Sequence, residues 1–158
     1  MAKLNFQIVT PERTLLNEQI DSLTCPTTTG EITVLPNHIP LISSLQSGEL
    51  VAKNGDKTEY FAVSGGFVEV RPGSNVVVLA DTAEHYTEID EARAEEAKMR
   101  AQELMRKASQ MSSAEYAKLF ASLQKNLARI KVARRSHRGH YGVGSEGILK
   151  DRIENEKE

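Results

Sequence analysis

The chain has no tryptophan and only four phenylalanines and four tyrosines in 158 residues. The stacking platforms that hold single-stranded nucleic acid are therefore missing. No basic excess compensates, because 20 basic residues face 22 acidic ones for a formal net charge of −2. These absences argue against a nucleic-acid partner. A single cysteine, Cys25, leaves no internal disulfide and suits a reducing compartment; its expected role is strand packing. The N-terminal run "MAKLNFQIV" lacks the apolar stretch and cleavage site of a signal peptide. No segment approaches the roughly 20 apolar residues of a membrane-spanning helix, so direct membrane insertion is not expected. Also missing are GxxxxGK[ST], without which phosphates have no P-loop cradle, and GxSxG, without which Ser64 has no nucleophile elbow. His137 and His140 stand without a companion of ligand spacing, so no metal site is expected. An enzyme fits poorly, and a binding or regulatory subunit fits better.

What is present falls into two halves with different periods. From Lys3 to about Thr82 apolar residues alternate: Leu4, Phe6, Ile8; Tyr60, Ala62; Val68, Val70; Val76, Val78, Ala80. Turn signals separate these runs at "TPER", "TTTGE", "LPNHIP", "KNGDK" and "RPGSN". Asn54 with Gly55 suits a type I′ hairpin and Pro72 with Gly73 a type II turn. Gly65 and Gly66 suggest a bulge or a close strand approach. The expectation is α+β in two parts, beginning with an antiparallel β-sandwich of about eight to ten strands over residues 1–84.

From 85 to 135 the composition turns helical. Ala94, Ala97, Ala101, Leu104, Ala108 and Met111 form a small-residue stripe, and Tyr116, Phe120, Leu123, Leu127 and Ile130 a large one. Between them, Ser112 and Glu115 have capping-box spacing. The expected unit is an antiparallel two-helix hairpin, marginally stable unless it docks on something. Four glycines within residues 139–147 predict a flexible tail over 136–158.

Three stretches, "GEITVLPNHIPLI" (30–42), "SGGFVEVRPGSNVVVLADTAE" (64–84) and "IDEARAEEA" (89–97), carry a resemblance. In order and spacing the chain resembles the ε subunits of bacterial F-type ATP synthases over about residues 3–135. That resemblance implies a β-sandwich followed by a helical hairpin. It implies a non-catalytic central-stalk subunit of a proton-translocating ATP synthase, peripheral on the cytoplasmic face of the bacterial cell membrane. The implied partners are the γ subunit, the c-subunit ring, and the catalytic β and α subunits. The hairpin is implied to be mobile and, when extended, to restrain ATP hydrolysis. Residue by residue, Glu31 corresponds to an acidic contact with the c ring and His38 to a loop histidine near γ. The basic cluster that includes Arg134 and Arg135 corresponds to a contact with an acidic segment of the β subunit.

Asp90 and Arg93 leave two readings open. Thr87 with Asp90 has capping-box-like spacing, and Arg93 on the same face could close a surface ion pair of about half a kcal/mol. The resemblance adds a second: "IDEARA" fits the I(L)DxxRA motif with which several relatives bind ATP in the folded hairpin. The implied ATP regulatory site is Glu84, Asp90, Arg93, Lys125 and Arg129. Lys125 departs from the arginine that ATP-binding relatives favour, offering a point charge without a bidentate fork. No cofactor is required on either reading. A stand-alone ATP-sensing module is the alternative to the rotor subunit.

Overall fold

The computed structural model describes residues 2–141, with side chains as far as Arg135. Ten strands come first: β1 (Leu4–Val9), β2 (Thr14–Ile20), β3 (Ser22–Thr27), β4 (Gly30–Val34), β5 (Leu41–Ser44), β6 (Gly48–Asn54), β7 (Lys57–Ser64), β8 (Phe67–Arg71), β9 (Asn75–Leu79) and β10 (Thr82–His85). A short 3-10 turn, Tyr86–Glu88, leads into α1 (Glu91–Met105), and a second, Ala108–Gln110, precedes α2 (Ser113–Tyr141). α2 continues past the Arg135 boundary assigned from sequence; the rest of the expected tail, 142–158, lies outside the described residues.

The strands make two five-stranded sheets, β2-β1-β9-β8-β5 and β10-β7-β6-β3-β4. All pairings are antiparallel except β1 with β9, which run parallel, an exception to the expected antiparallel sandwich. Between the sheets lies the core: Leu4, Phe6 and Ile8 of β1 and Val76 and Val78 of β9 from one side, Leu23, Cys25, Leu50, Phe61 and Val63 from the other. Each such side chain contributes roughly 1.5–3 kcal/mol on burial. Burial pushes the Cys25 thiol up to about 12, as expected of a packing cysteine.

Two turns refine the sequence reading. The β6–β7 loop is Gly55-Asp56, with Asn54 already paired to Lys57 in the ladder. Only Gly55 has positive φ (59°), the requirement of a type II′ turn and not of type I′. Gly73 has φ 81°, as its place in a type II turn demands. The close approach at Gly66 is real, since a Cβ there would collide with the Leu79 carbonyl oxygen.

β7 corrects the alternation read from Tyr60 and Ala62. Phe61 and Val63 fill the core, while Tyr60 and Ala62 look outward. Ala62 is nonetheless buried, because α2 lies across β6 and β7. A strand covered on both faces reads as one apolar run, so periodicity cannot say which side is the core.

The hairpin departs from its expected seam. Ala94 and Ala101 are buried as foreseen, but Tyr116, Phe120 and Leu127 stay exposed. Burial on α2 begins at Asn126 and takes in Ala128, Ile130, Val132 and Ala133. Positions 126, 130 and 133 share one side of a 3.6-residue helix and 128 and 132 the opposite side. Here α2 is held between sheet and α1, giving the order sheet, sheet, α2, α1. Docking therefore buries α2 between Asn126 and Ala133, and its first turns stay exposed.

Candidate functional site: a helix clasped over an acidic row

The hairpin seat is a row of three cross-strand neighbours. Glu84 of β10 pairs with Ala62 of β7, which pairs with Glu49 of β6. Directly opposed residues share a sheet face, so this row presents a small central residue flanked by two carboxylates. α2 packs over it, and an alanine lets the helix come close. From α2, Arg129 reaches one flank: its Nε lies 2.7 Å from Glu84 Oε2, and its Nη2 donates to Oε1 at 3.2 Å. Asn126 steadies it, accepting from Arg129 Nη1 at 3.2 Å while donating to the Ser122 carbonyl. Arg135 reaches the other flank, 3.3 Å from Glu49, with its guanidinium 5.9 Å from the Tyr60 ring centroid. Glu49 is 93% buried when docked, its side chain retaining 7% exposure, so Arg135 is a necessary partner.

Arg134 points the other way, toward α1. It donates to Glu91 at 2.8 Å and to Glu95 at 2.7 Å, and the Glu91 bond holds the guanidinium further toward its charged form. Glu91 and Glu95 lie one turn apart on α1, which is why one arginine can take both. Three arginines of α2 thus fasten it, in cis, to four carboxylates.

Of the five residues assigned to ATP, the structure brings Glu84 and Arg129 into direct contact. Lys125, one turn before Arg129, lines a shallow crevice with Gln46, Ser47, Ser64, Asp81, Ala121 and Ser122. Asp90 is the N-cap of α1: its Oδ1 accepts from the Arg93 backbone amide at 3.1 Å, so the two are joined through the main chain and not by an ion pair. The Thr87–Asp90 box does not form. Instead His85 caps the 3-10 turn in a box with Glu88, whose carboxylate accepts from the His85 amide and binds Arg13. The Arg13 hydrogen bond holds Glu88 below the usual carboxylate range. The Ser112–Glu115 box forms as expected, and the Ser112 amide and hydroxyl hold Glu115 below its usual range.

Glu31 is exposed on β4 and opposite Pro26. His38, in the loop after β4, places Nδ1 2.7 Å from the Ile39 carbonyl oxygen; an oxygen that only accepts makes Nδ1 the protonated nitrogen. On the sandwich face away from the hairpin, Ile42, Phe67 and Leu79 are exposed, with Leu35 and Ile39 in the adjoining loop. Sequence reasoning missed Glu49, Glu91, Glu95, Asn126 and Tyr60. Only Glu49 left a trace, as a carboxylate inside the apolar run "GELVA".

Comparison with known proteins agrees with this architecture. The family described as ATP synthase, Delta/Epsilon chain, beta-sandwich domain matches residues 3–86, and its long alpha-helix domain matches residues 87–134. An ATP synthase epsilon chain of Dehalococcoides mccartyi is 49% identical over 141 residues, covering 87% of this chain and 98% of that one. One from Herpetosiphon aurantiacus is 42% identical over 132 residues, covering 83% and 94%. A chain in the cryo-EM structure of Euglena gracilis mitochondrial ATP synthase shares the fold, with TM-score 0.71 at 23% identity over 84% of this chain and 82% of that one. With both domain families matched in order along its described length and relatives near half-identical over most of it, the chain belongs to the ATP synthase epsilon chain family.

Proposed function

We propose that the chain is the non-catalytic ε subunit of a rotary ATP synthase, with its sandwich as the docking part and its hairpin as a regulatory arm caught here in the clasped position. Membership of the family supports the subunit assignment. The apolar set Leu35, Ile39, Ile42, Phe67 and Leu79 gives the sandwich a face suited to a protein partner. On this reading γ and the c ring take that end of the sandwich, with Glu31 and His38 at their contacts, on the cytoplasmic face of the membrane. Among the described residues no helix is long and apolar enough to cross a membrane.

The observation that carries the regulatory reading is the pairing of Arg129, Arg134 and Arg135 with Glu84, Glu91, Glu95 and Glu49. Clasped, these cations are neutralised within the chain. Opened, they become a basic strip that could grip acidic surface on the catalytic subunits and restrain hydrolysis. The exposed Tyr116, Phe120 and Leu127 supply apolar area for that second position. The test separates clasp from grip in the assembled complex. Glu91→Gln with Glu95→Gln frees Arg134 without altering it, and should deepen inhibition of ATP hydrolysis; Arg134→Glu should relieve it. Unchanged hydrolysis in both variants would overturn the reading.

A regulatory ATP is the second reading. It rests on Lys125 and Arg129 standing one turn apart on α2, with Arg129 beside Glu84, and on Arg93 at the start of α1. The triphosphate would supplement or displace Glu84 at Arg129. Calorimetric titration of MgATP, with Arg93→Ala alongside, tests it: binding abolished by the variant supports the site, and absence of binding removes it. Tight ATP binding by a chain that ignores γ would favour the stand-alone sensor.

A further inference from the structure

The clasp closes through a hinge, and one titratable ring sits at its pivot. His85 ends β10, and the 3-10 turn that follows is the only covalent path from sandwich to hairpin. The ring lies at the open edge of the sandwich, edge-on to the core residue Phe61 at 5.1 Å and 4.3 Å from the Tyr86 ring. Its Nδ1 accepts from the Thr87 backbone amide at 3.4 Å and lies 2.7 Å from the Thr87 hydroxyl. A backbone amide only donates, so Nδ1 carries no proton and the neutral ring holds its proton on Nε2. That Nε2 is buried without a hydrogen-bond partner, 3.7 Å from Glu59.

We propose that His85 is a proton-sensitive latch for the hairpin: the neutral ring caps the hinge turn, and its protonation releases α1 and α2 from the sandwich. Protonated, Nδ1 becomes a donor and can no longer receive the Thr87 amide. The turn then loses half of its capping box, and a full charge is placed against Phe61.

The charged neighbours do not rescue it. On β7, Glu59 is already held by Lys57 at 2.8 Å; on the turn, Glu88 is already held by Arg13 at 2.8 Å. Glu18 of β2 stands by Glu59, and burial with that neighbour's hydrogen bond raises its pKa; it is not among the charges that act on the His85 ring. On β10 itself Glu84 is taken by Arg129 of α2. Burial outweighs what attraction remains and lowers the pKa of His85.

The sign follows from linkage. In the clasped state Nδ1 must stay unprotonated to receive the Thr87 amide, whereas an open state that gives up this cap leaves Nδ1 free to take the proton more readily. Clasping is therefore favoured where the ring is neutral and weakens as pH falls through the histidine range and Nδ1 takes up its proton. One proton changes the clasped-to-open ratio by at most about tenfold per pH unit.

The experiment uses the full chain with spin labels at Lys53→Cys on β6 and Gln102→Cys on α1, both exposed positions. Cys25 is buried and stays unlabelled. Distances are compared at about pH 7.5 and about pH 5.5, on either side of the histidine range. The short clasped distance should lose population at the lower pH, and His85→Gln, which keeps an acceptor but cannot charge, should abolish the loss. An unchanged wild-type distribution, or an equal loss in His85→Gln, would overturn the latch. If His85→Gln is open at every pH, the wild-type imidazole titration decides by NMR: a midpoint coincident with opening supports the latch, and a separate one refutes it. The test reads hairpin position alone and does not depend on whether the open state inhibits hydrolysis.

Discussion

Replacing Arg129 with alanine removes the strongest link between hairpin and sandwich. Its side chain is 18% exposed and that of Glu84 29%, and the two meet through both guanidinium nitrogens that face the carboxylate. Exposed ion pairs contribute about 0.2–1 kcal/mol, whereas stripping one partner from a buried pair costs about 3–5. This largely buried pair, with one hydrogen bond and one further close N···O approach, lies between, so the loss is about 2 kcal/mol of docking free energy, roughly thirtyfold in the clasped-to-open ratio. Hydrogen exchange reads it directly. Amides of α2 between Asn126 and Ala133, buried between sheet and α1, should exchange roughly thirtyfold faster in Arg129→Ala while sandwich amides such as those of β1 stay protected. A double-mutant cycle with Glu84→Gln isolates the pair. A coupling energy under about 0.3 kcal/mol, with both single variants still clasped, would refute the claim that this contact holds the hairpin.

Three further outcomes are expected. Gly66→Ala should lower stability by at least about 2 kcal/mol, seen as a fall in Tm, because its φ of 94° and the Leu79 carbonyl leave no room for a Cβ; Gly55→Ala, with φ 59° and open space, should cost only about 1. Asp90→Ala should destabilise α1 by about 1 kcal/mol and Asp90→Asn by far less, since an asparagine side chain still caps; equal loss of helix in both variants would show that the cap is not what matters. Cys25 should resist thiol reagents at about pH 8 until the sandwich is unfolded, because burial places the thiol at about 12; rapid labelling of the native chain would contradict the packed core described here.

The division into strands and helices was legible because each half has one dominant period. Residues 4, 6 and 8, or 76 and 78, need only a local pattern to show which side they bury. Caps were legible for the same reason, since Ser112 and Glu115 act within one turn. The type II′ turn and the true cap of α1 were missed by a residue or three, as element boundaries often are. None of this needs knowledge of a distant neighbour.

The clasp is different. That Ala62 is flanked by Glu84 and Glu49 depends on the register of three strands, and that Arg129 and Arg135 straddle the row depends on how α2 crosses it. In sequence, Glu49 and Arg135 are 86 positions apart, and nothing local couples them. The large stripe on α2 illustrates the limit: its residues are apolar at helical spacing, yet Tyr116 and Phe120 remain exposed because docking reaches only the later turns. The sequence by itself determined the two-part architecture, the capping and the resemblance, all carried by near neighbours in the chain. Only tertiary structure decided which acids meet which arginines and where His85 sits, because those contacts are made between elements whose relative placement no local pattern encodes.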